Sequence, residues 1–136
     1  MPGGSFVDTN IWVYAHLKDP NEPRCERAWA FLQARTGAVI SAQVTAEYFN
    51  VMRRNGQDEA RIHRNIARML KRCAVQSMDL AVIRRTLIVR KEFGFSIWDS
   101  QIVAAALEAG CDTLFTEDLQ HGQVLEGLTI IDPLRL

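Results

Sequence analysis

The sequence is short of the features that would place it in several large classes. Its 136 residues carry only three cysteines. Cys25, Cys73 and Cys111 are scattered, with no Cys-x-x-Cys pair, which argues against a disulfide framework and fits reduced packing residues in a cytoplasmic protein. Neither a histidine pair nor a cysteine cluster is spaced to hold a soft metal. Excess charge is also missing, since 16 Lys and Arg balance 16 Asp and Glu. That argues against a generic nucleic-acid coat and leaves a local basic patch open. The longest uncharged apolar run, Ile102 to Leu107, is far too short to cross a membrane. The opening Met-Pro-Gly-Gly-Ser-Phe-Val-Asp lacks the basic start and apolar core of a signal peptide. With no repeat, low-complexity tract or linker, residues 1–136 read as one domain. Its 48% hydrophobic and 24% charged residues suit a soluble chain able to bury a core.

What is present is best organised in the stretch Ser96 to Asp118. Ser96 suits a helix N-cap, and Asp99 follows three residues later. Ile97, Trp98, Ile102, Val103, Ala106 and Leu107 then repeat at helical spacing. Gly110 stands where a left-handed C-cap belongs. The apolar run Thr113-Leu114-Phe115 reads as a buried strand and ends in Thr116-Glu117-Asp118. One carboxylate therefore lies in the first turn of a helix and others lie at the end of the next strand. Ile97 and Trp98 are expected to be buried and to turn Asp99 toward a cleft, while Glu117 is expected to face solvent.

The same handover from strand to polar turn to helix recurs along the chain. Ser5-Phe6-Val7 is a short strand ending in Asp8-Thr9-Asn10, followed by a short helix through Ile11 to Ala15. Pro23 opens a second helix that stops near Thr36-Gly37. The strand Ala38 to Ser41 passes into a helix through Gln43 to Glu47, with Glu47 near its first turn and Asn55-Gly56 at its end. Asp58 to Arg72 is amphipathic, with Ile62, Ile66, Met69 and Leu70 in one stripe and cations elsewhere. Val75 to Met78 is a third strand, and Asp79 caps a helix running to Phe93-Gly94. Asp118 to Gly122 suggests one helical turn, and Leu128 to Ile131 a last strand. Strands alternating with helices predict an α/β fold with a mainly parallel sheet covered on both faces.

Four acids sit where the chain leaves a strand or starts a helix: Asp8, Glu47, Asp99 and Asp118. Taken singly each has a plain structural role. Asp8 or Asp118 can cap a helix, Asp99 matches a capping-box position, and Glu47 suits a solvated first turn. Taken together they can converge on one sheet edge, where mutual repulsion would force a proton onto at least one. A hard divalent cation such as Mg²⁺ or Mn²⁺ relieves that conflict through oxygen ligands and can activate water against a phosphate. Thr9, Asn10 and Thr116 also follow strands, where a side chain can orient a carboxylate or serve ordinary turn chemistry.

Val7-Asp8-Thr9-Asn10-Ile11, Ala46-Glu47, the block Trp98 to Ala106, Thr116-Glu117-Asp118-Leu119 and Gly127 to Pro133 together resemble a PIN domain. They are most similar to the VapC-type toxin ribonucleases of toxin–antitoxin pairs. The resemblance implies a three-layer α/β fold and Mg²⁺- or Mn²⁺-dependent RNA cleavage. It implies an acidic pocket of Asp8, Glu47, Asp99 and Asp118, with Asp8, Asp99 and Asp118 at the metal and Thr9, Asn10 and Thr116 behind them. It also implies a homodimer and a small antitoxin partner. RNA needs nearby cations, and Arg53, Arg54, Arg61, Arg64 and Arg68 are the candidates, although a solvated face accounts for such residues as well. Beside a binding module that keeps the fold without chemistry, to which the four acids give little weight, two rival readings remain. One is a PIN nuclease with a housekeeping RNA-processing task. The other is an aspartyl-phosphate protein with Asp8 as nucleophile, which Asn10 and the absence of a lysine after Thr116 disfavour.

Overall fold

Residues 3–135 are described by the computed structural model. Met1, Pro2 and Leu136, the outer ends of the expected single domain, lie outside the described residues. The elements follow in the order β1 (Gly4–Val7), α1 (Thr9–Leu17), α2 (Pro23–Gln33), β2 (Val39–Ser41), α3 (Ala42–Arg54) and α4 (Glu59–Arg72). Then come β3 (Ala74–Gln76), α5 (Leu80–Phe93), α6 (Ile97–Glu108), β4 (Cys111–Phe115), β5 (Val124–Leu125) and β6 (Leu128–Ile131). The strands form one sheet in the order β3-β2-β1-β4-β6-β5. Every pairing is parallel except that of β5 with β6. Helices flank this sheet in a three-layer α/β arrangement, with α1, α2 and α3 packed together and α5 against α6.

Capping explains most of the helix starts. Asp8, Ser41, Asp58, Asp79 and Ser96 each precede a helix and accept a backbone N–H of its first turn. Ser41 is at once the last residue of β2 and the cap of α3, so that helix begins at Ala42 and Glu47 falls in its second turn. Gly94 and Gly110 take positive φ, 74° and 77°, where α5 and α6 stop. The helix α2 ends at Gln33, earlier than its composition suggests, and Gly37 at φ 72° turns the chain toward β2.

Near the C-terminus one sequence expectation fails and one strand went unread. Asp118 to Gly122 forms bends and a turn rather than a helix. The Thr116 hydroxyl accepts the Asp118 N–H at 3.1 Å, and Gly122 N–H donates to Ile130 O at 2.8 Å, so these groups are committed outside any helical ladder. The strand β5 is only two residues long and carries no alternation to reveal it. It hairpins onto β6 through Glu126-Gly127, both at positive φ, as a tight two-residue turn requires.

The direction of chain crossing positions everything that follows. From β1 the chain moves outward to β2 and β3, then returns across the sheet to β4 on the other side of β1. The strand order reverses between β1 and β4, and a crevice opens beyond the carboxyl ends of strands at such a point. Phe6, Ile40, Leu114 and Ile130 are fully buried in neighbouring strands, so the sheet carries the core beneath that crevice. Replacing Leu114 by Ala removes buried methyl groups from this layer and leaves a cavity. Urea unfolding followed by circular dichroism is expected to show a loss of about 2–5 kcal/mol; a loss below about 1 kcal/mol would contradict the central packing assigned to this strand.

Candidate active site

Asp8 leaves β1 at the switch point and is buried, with 6% of its surface exposed. Both of its oxygens are used. Oδ1 accepts the Thr9 N–H at 2.7 Å and Oδ2 accepts the Thr116 hydroxyl at 2.8 Å. Thr116 is itself buried at the exit of β4, where its hydroxyl also takes the Asp118 N–H. One hydroxyl therefore links the two strand ends that carry Asp8 and Asp118. The Asp8 N–H extends the β1–β4 ladder by donating to Phe115 O at 2.9 Å.

Glu47 reaches the same place from α3. It accepts the Thr9 hydroxyl at 2.8 Å and the Gln43 amide at 3.3 Å. Gln43 is buried, and its amide also donates to Trp98 O at 3.1 Å while its carbonyl accepts from Gln101 at 3.0 Å. Gln43 thus ties α3 to the first turn of α6, the turn that carries Asp99. The sequence reading passed over this residue, although its spacing four residues before Glu47 on one helix face is the signal that finds it. The reading also relied on buried Ile97 and Trp98 to aim Asp99, but these are 40% and 62% exposed. It is the Gln43 clamp that anchors this turn.

Asp8, Thr9, Asn10, Glu47, Asp99 and Asp118 line one hollow of about 220 Å³, with Asn50, Val51, Arg54 and Ile102. The four acids are therefore brought together. Glu117 is not free in solvent as expected. It accepts from Asn10 at 3.3 Å and pairs with Arg24 at 3.3 Å, and the guanidinium lies 4.5 Å above the Tyr14 ring. Asn10 borders the hollow but sends its amide to Glu117. The basic candidates divide: Arg54 stands at the hollow, Arg53 lies 3.7 Å from Glu59, and Arg61, Arg64 and Arg68 line a different cavity.

Crowding shows in the titration of the acids. Burial pushes Asp8 from 3.8 up to about 7 against the lowering effect of its hydrogen bonds, and Asp118 and Glu47 push it further the same way. Asp99 is raised by burial and by Glu47. Asp118 is raised by burial, then by Asp99, Glu117 and Glu47. Oxygen donors in a pocket of surplus negative charge fit a hard divalent cation. Among the described residues, however, no three His, Cys, Asp or Glu side chains form a ready-made ligand set. As the side chains stand, the three carboxylates expected at a metal share a hollow without sharing one ion position. An ion that keeps most of its waters and takes one or two carboxylates suits that geometry.

A model of the PIN domain matches residues 5–125. No curated protein matches. Several solved structures share the fold. A toxin–antitoxin complex from Klebsiella pneumoniae superposes with a TM-score of 0.74 at 19% identity, over 98% of this chain and 100% of that one. VapC20 of Mycobacterium tuberculosis, described as a Sarcin-Ricin loop cleaving toxin, gives 0.67 at 18% identity, over 85% and 92%. A DNA-bound VapBC from Salmonella typhimurium gives 0.67 at 20% identity, over 96% and 98%.

The raised Asp8 has a consequence for stability. Its folded pKa lies above its unfolded value, so the folded state holds a proton that the unfolded chain has released. Metal-free protein is therefore expected to lose stability as pH rises from about 4 to about 7, by an amount on the order of a few kcal/mol. Urea titrations in chelator at pH values bracketing that window will measure the fall, and Asp8→Asn should flatten most of it. A wild-type profile that is level, or that rises with pH, would contradict the burial assigned to this carboxylate.

Proposed function

The chain belongs to the PIN-domain family, and from that premise we propose that it is a Mg²⁺- or Mn²⁺-dependent endoribonuclease acting as the toxin of a toxin–antitoxin pair. The observation that carries this reading is the convergence of Asp8, Glu47, Asp99 and Asp118 on one hollow at the switch point of the sheet. Asp8, Asp99 and Asp118 are the residues that would hold the ion. When bound, the ion supplies charge neutralisation at the scissile phosphate and lowers the cost of deprotonating the attacking water.

The remaining work falls to the chain's own groups. The Thr9 N–H and the Thr116 hydroxyl fix both oxygens of Asp8. Thr9 and Gln43 fix the Glu47 carboxylate, which in this reading would take a proton from the attacking water. Arg54 offers a cation at the rim for the entering phosphate. Use of Asp8 as a phosphorylated nucleophile is disfavoured, because residue 10 is Asn rather than a second acid and no lysine follows Thr116 at the strand end.

Two partners belong to this reading. The antitoxin is supported by the toxin–antitoxin assemblies among the structural relatives, and a housekeeping role is the rival. Growth arrest on expression, relieved by the neighbouring reading frame, supports the toxin; unaffected growth despite demonstrated cleavage supports the rival. The second partner is another copy of the chain. Val82, Thr86 and Val89 bury one side of α5, yet Leu80, Ile83, Leu87 and Ile88 stand 46–60% exposed elsewhere on that helix. They offer an exposed apolar face of the kind found at the centre of interfaces between copies of one chain.

Asp8→Asn and Asp99→Asn are each expected to lower RNA cleavage more than about a hundredfold, and Gln43→Ala about tenfold through misplacement of Glu47. Excess chelator should abolish cleavage and Mn²⁺ restore it. Full activity in either Asp variant, or undiminished cleavage in chelator, would end the proposal. For the second partner, light scattering should give a dimer mass for wild type and a monomer mass for Leu80→Glu/Leu87→Glu. A monomeric wild type would remove α5 as the interface.

A further inference from the structure

The helix α1 has the acidic hollow at its N-terminal end. Its C-terminal end closes a second cavity, of about 340 Å³, against α2 and α4. Lys18, Arg61, Arg64, Arg68 and Arg72 all line it, and no carboxylate does among the described residues. Arg61 and Arg72 are committed in part, donating to His16 O at 2.6 Å and to Leu32 O at 3.4 Å. Arg64 and Arg68 are exposed and carry no hydrogen bond or ion pair among the described residues. The positive charge around the cavity is felt at His16. Burial first, then Arg61, Lys18, Arg72 and Arg68, hold this ring down at about 4.

We propose that this cavity is an anion subsite that holds a backbone phosphate of the same single-stranded RNA whose scissile phosphate enters the acidic hollow. The inference rests on the nuclease reading and adds to it a second anchoring point for the substrate. A pocket of carboxylates repels a polyanion, so affinity for RNA has to come from cations elsewhere on its path. From Thr9 to His16 the helix rises only about 10 Å, a distance that a few nucleotides of single strand cover. Trp29, 40% exposed, borders the cavity with Lys18 4.2 Å over its ring. Cations beside an exposed aromatic surface are the combination that seats single-stranded nucleic acid, the charge taking phosphate and the ring taking a base. An acidic protein segment would use the charge alone and is the competing occupant.

The test compares Arg64→Gln/Arg68→Gln with Arg84→Gln/Lys91→Gln, which removes the same charge from α5. Both are placed in an Asp8→Asn background so that RNA stays intact, and thermal melts verify that each folds. Binding of a short fluorescein-labelled oligouridylate is read by anisotropy across a salt series. The cavity pair is expected to weaken binding about tenfold and to make the salt slope shallower by about one unit, with the α5 pair within about twofold of its parent. Equal losses in both pairs, or no loss in the cavity pair, would overturn the subsite. So would an oligoglutamate peptide whose binding depends on Arg64 and Arg68 while RNA binding does not. Cleavage by otherwise wild-type protein in Mn²⁺ separates the two ideas. If it cleaves RNA and the cavity pair binds normally, the subsite alone fails. If it does not cleave, yet RNA binding depends on Arg64 and Arg68, the nuclease reading fails, and the cavity is an RNA-binding site without the role of a second anchor for a cleaved substrate.

Discussion

The structure depends on keeping a carboxylate buried at the end of its central strand. Asp8 joins three jobs in one residue: it extends the β1–β4 ladder through its N–H, caps α1 through Oδ1, and takes the Thr116 hydroxyl through Oδ2. Those bonds lower the cost of burial without removing it, because desolvation still dominates the titration of the group. An apolar residue at this position would relieve the strain of burial. It would also cut the link between the ends of β1 and β4, the point from which the other acidic side chains are arranged.

Charge in this protein is balanced in total and divided in space. The hollow gathers four acids with Arg54 at its edge, whereas the cavity beyond the other end of α1 gathers five cations and, among the described residues, no acid. Glu117 illustrates how the division is kept. It lies next to Asp118 in the chain, yet Arg24 and Asn10 hold it out of the acid cluster. Without that pairing, one more negative group would compete for the same small space.

Much of this was legible in the sequence, and the exceptions have physical reasons. Caps at Asp8, Asp79 and Ser96 and the alternation of strands with helices are local signals, and they point to the fold. The convergence of the four acids followed from topology once each was placed at a strand exit or helix start. What stayed hidden required contacts between distant segments. Gln43 carries no chemistry of its own and gains its role only when α6 arrives beside it. Glu117 looks solvated until Arg24, 93 residues away, is brought to it. Ile97 and Trp98 stay exposed against their composition, and that turn is held by Gln43 rather than by their burial. A neutral net charge concealed the separation of acids from arginines, since composition records totals and not positions.

The placement of β4 has a further consequence, for the order in which the molecule can be built. The middle strand β1 is made first, but its partner β4 and the residues that follow, Thr116 and Asp118, are separated from it by about a hundred residues of chain, and pairings so distant in sequence form late. On a translating ribosome, Asp8 lacks its hydroxyl partner Thr116 and its full set of acidic neighbours until residue 118 has emerged. The hollow therefore comes into being only after that whole span has been made, and a nascent chain shorter than this carries its pieces without their combined chemistry.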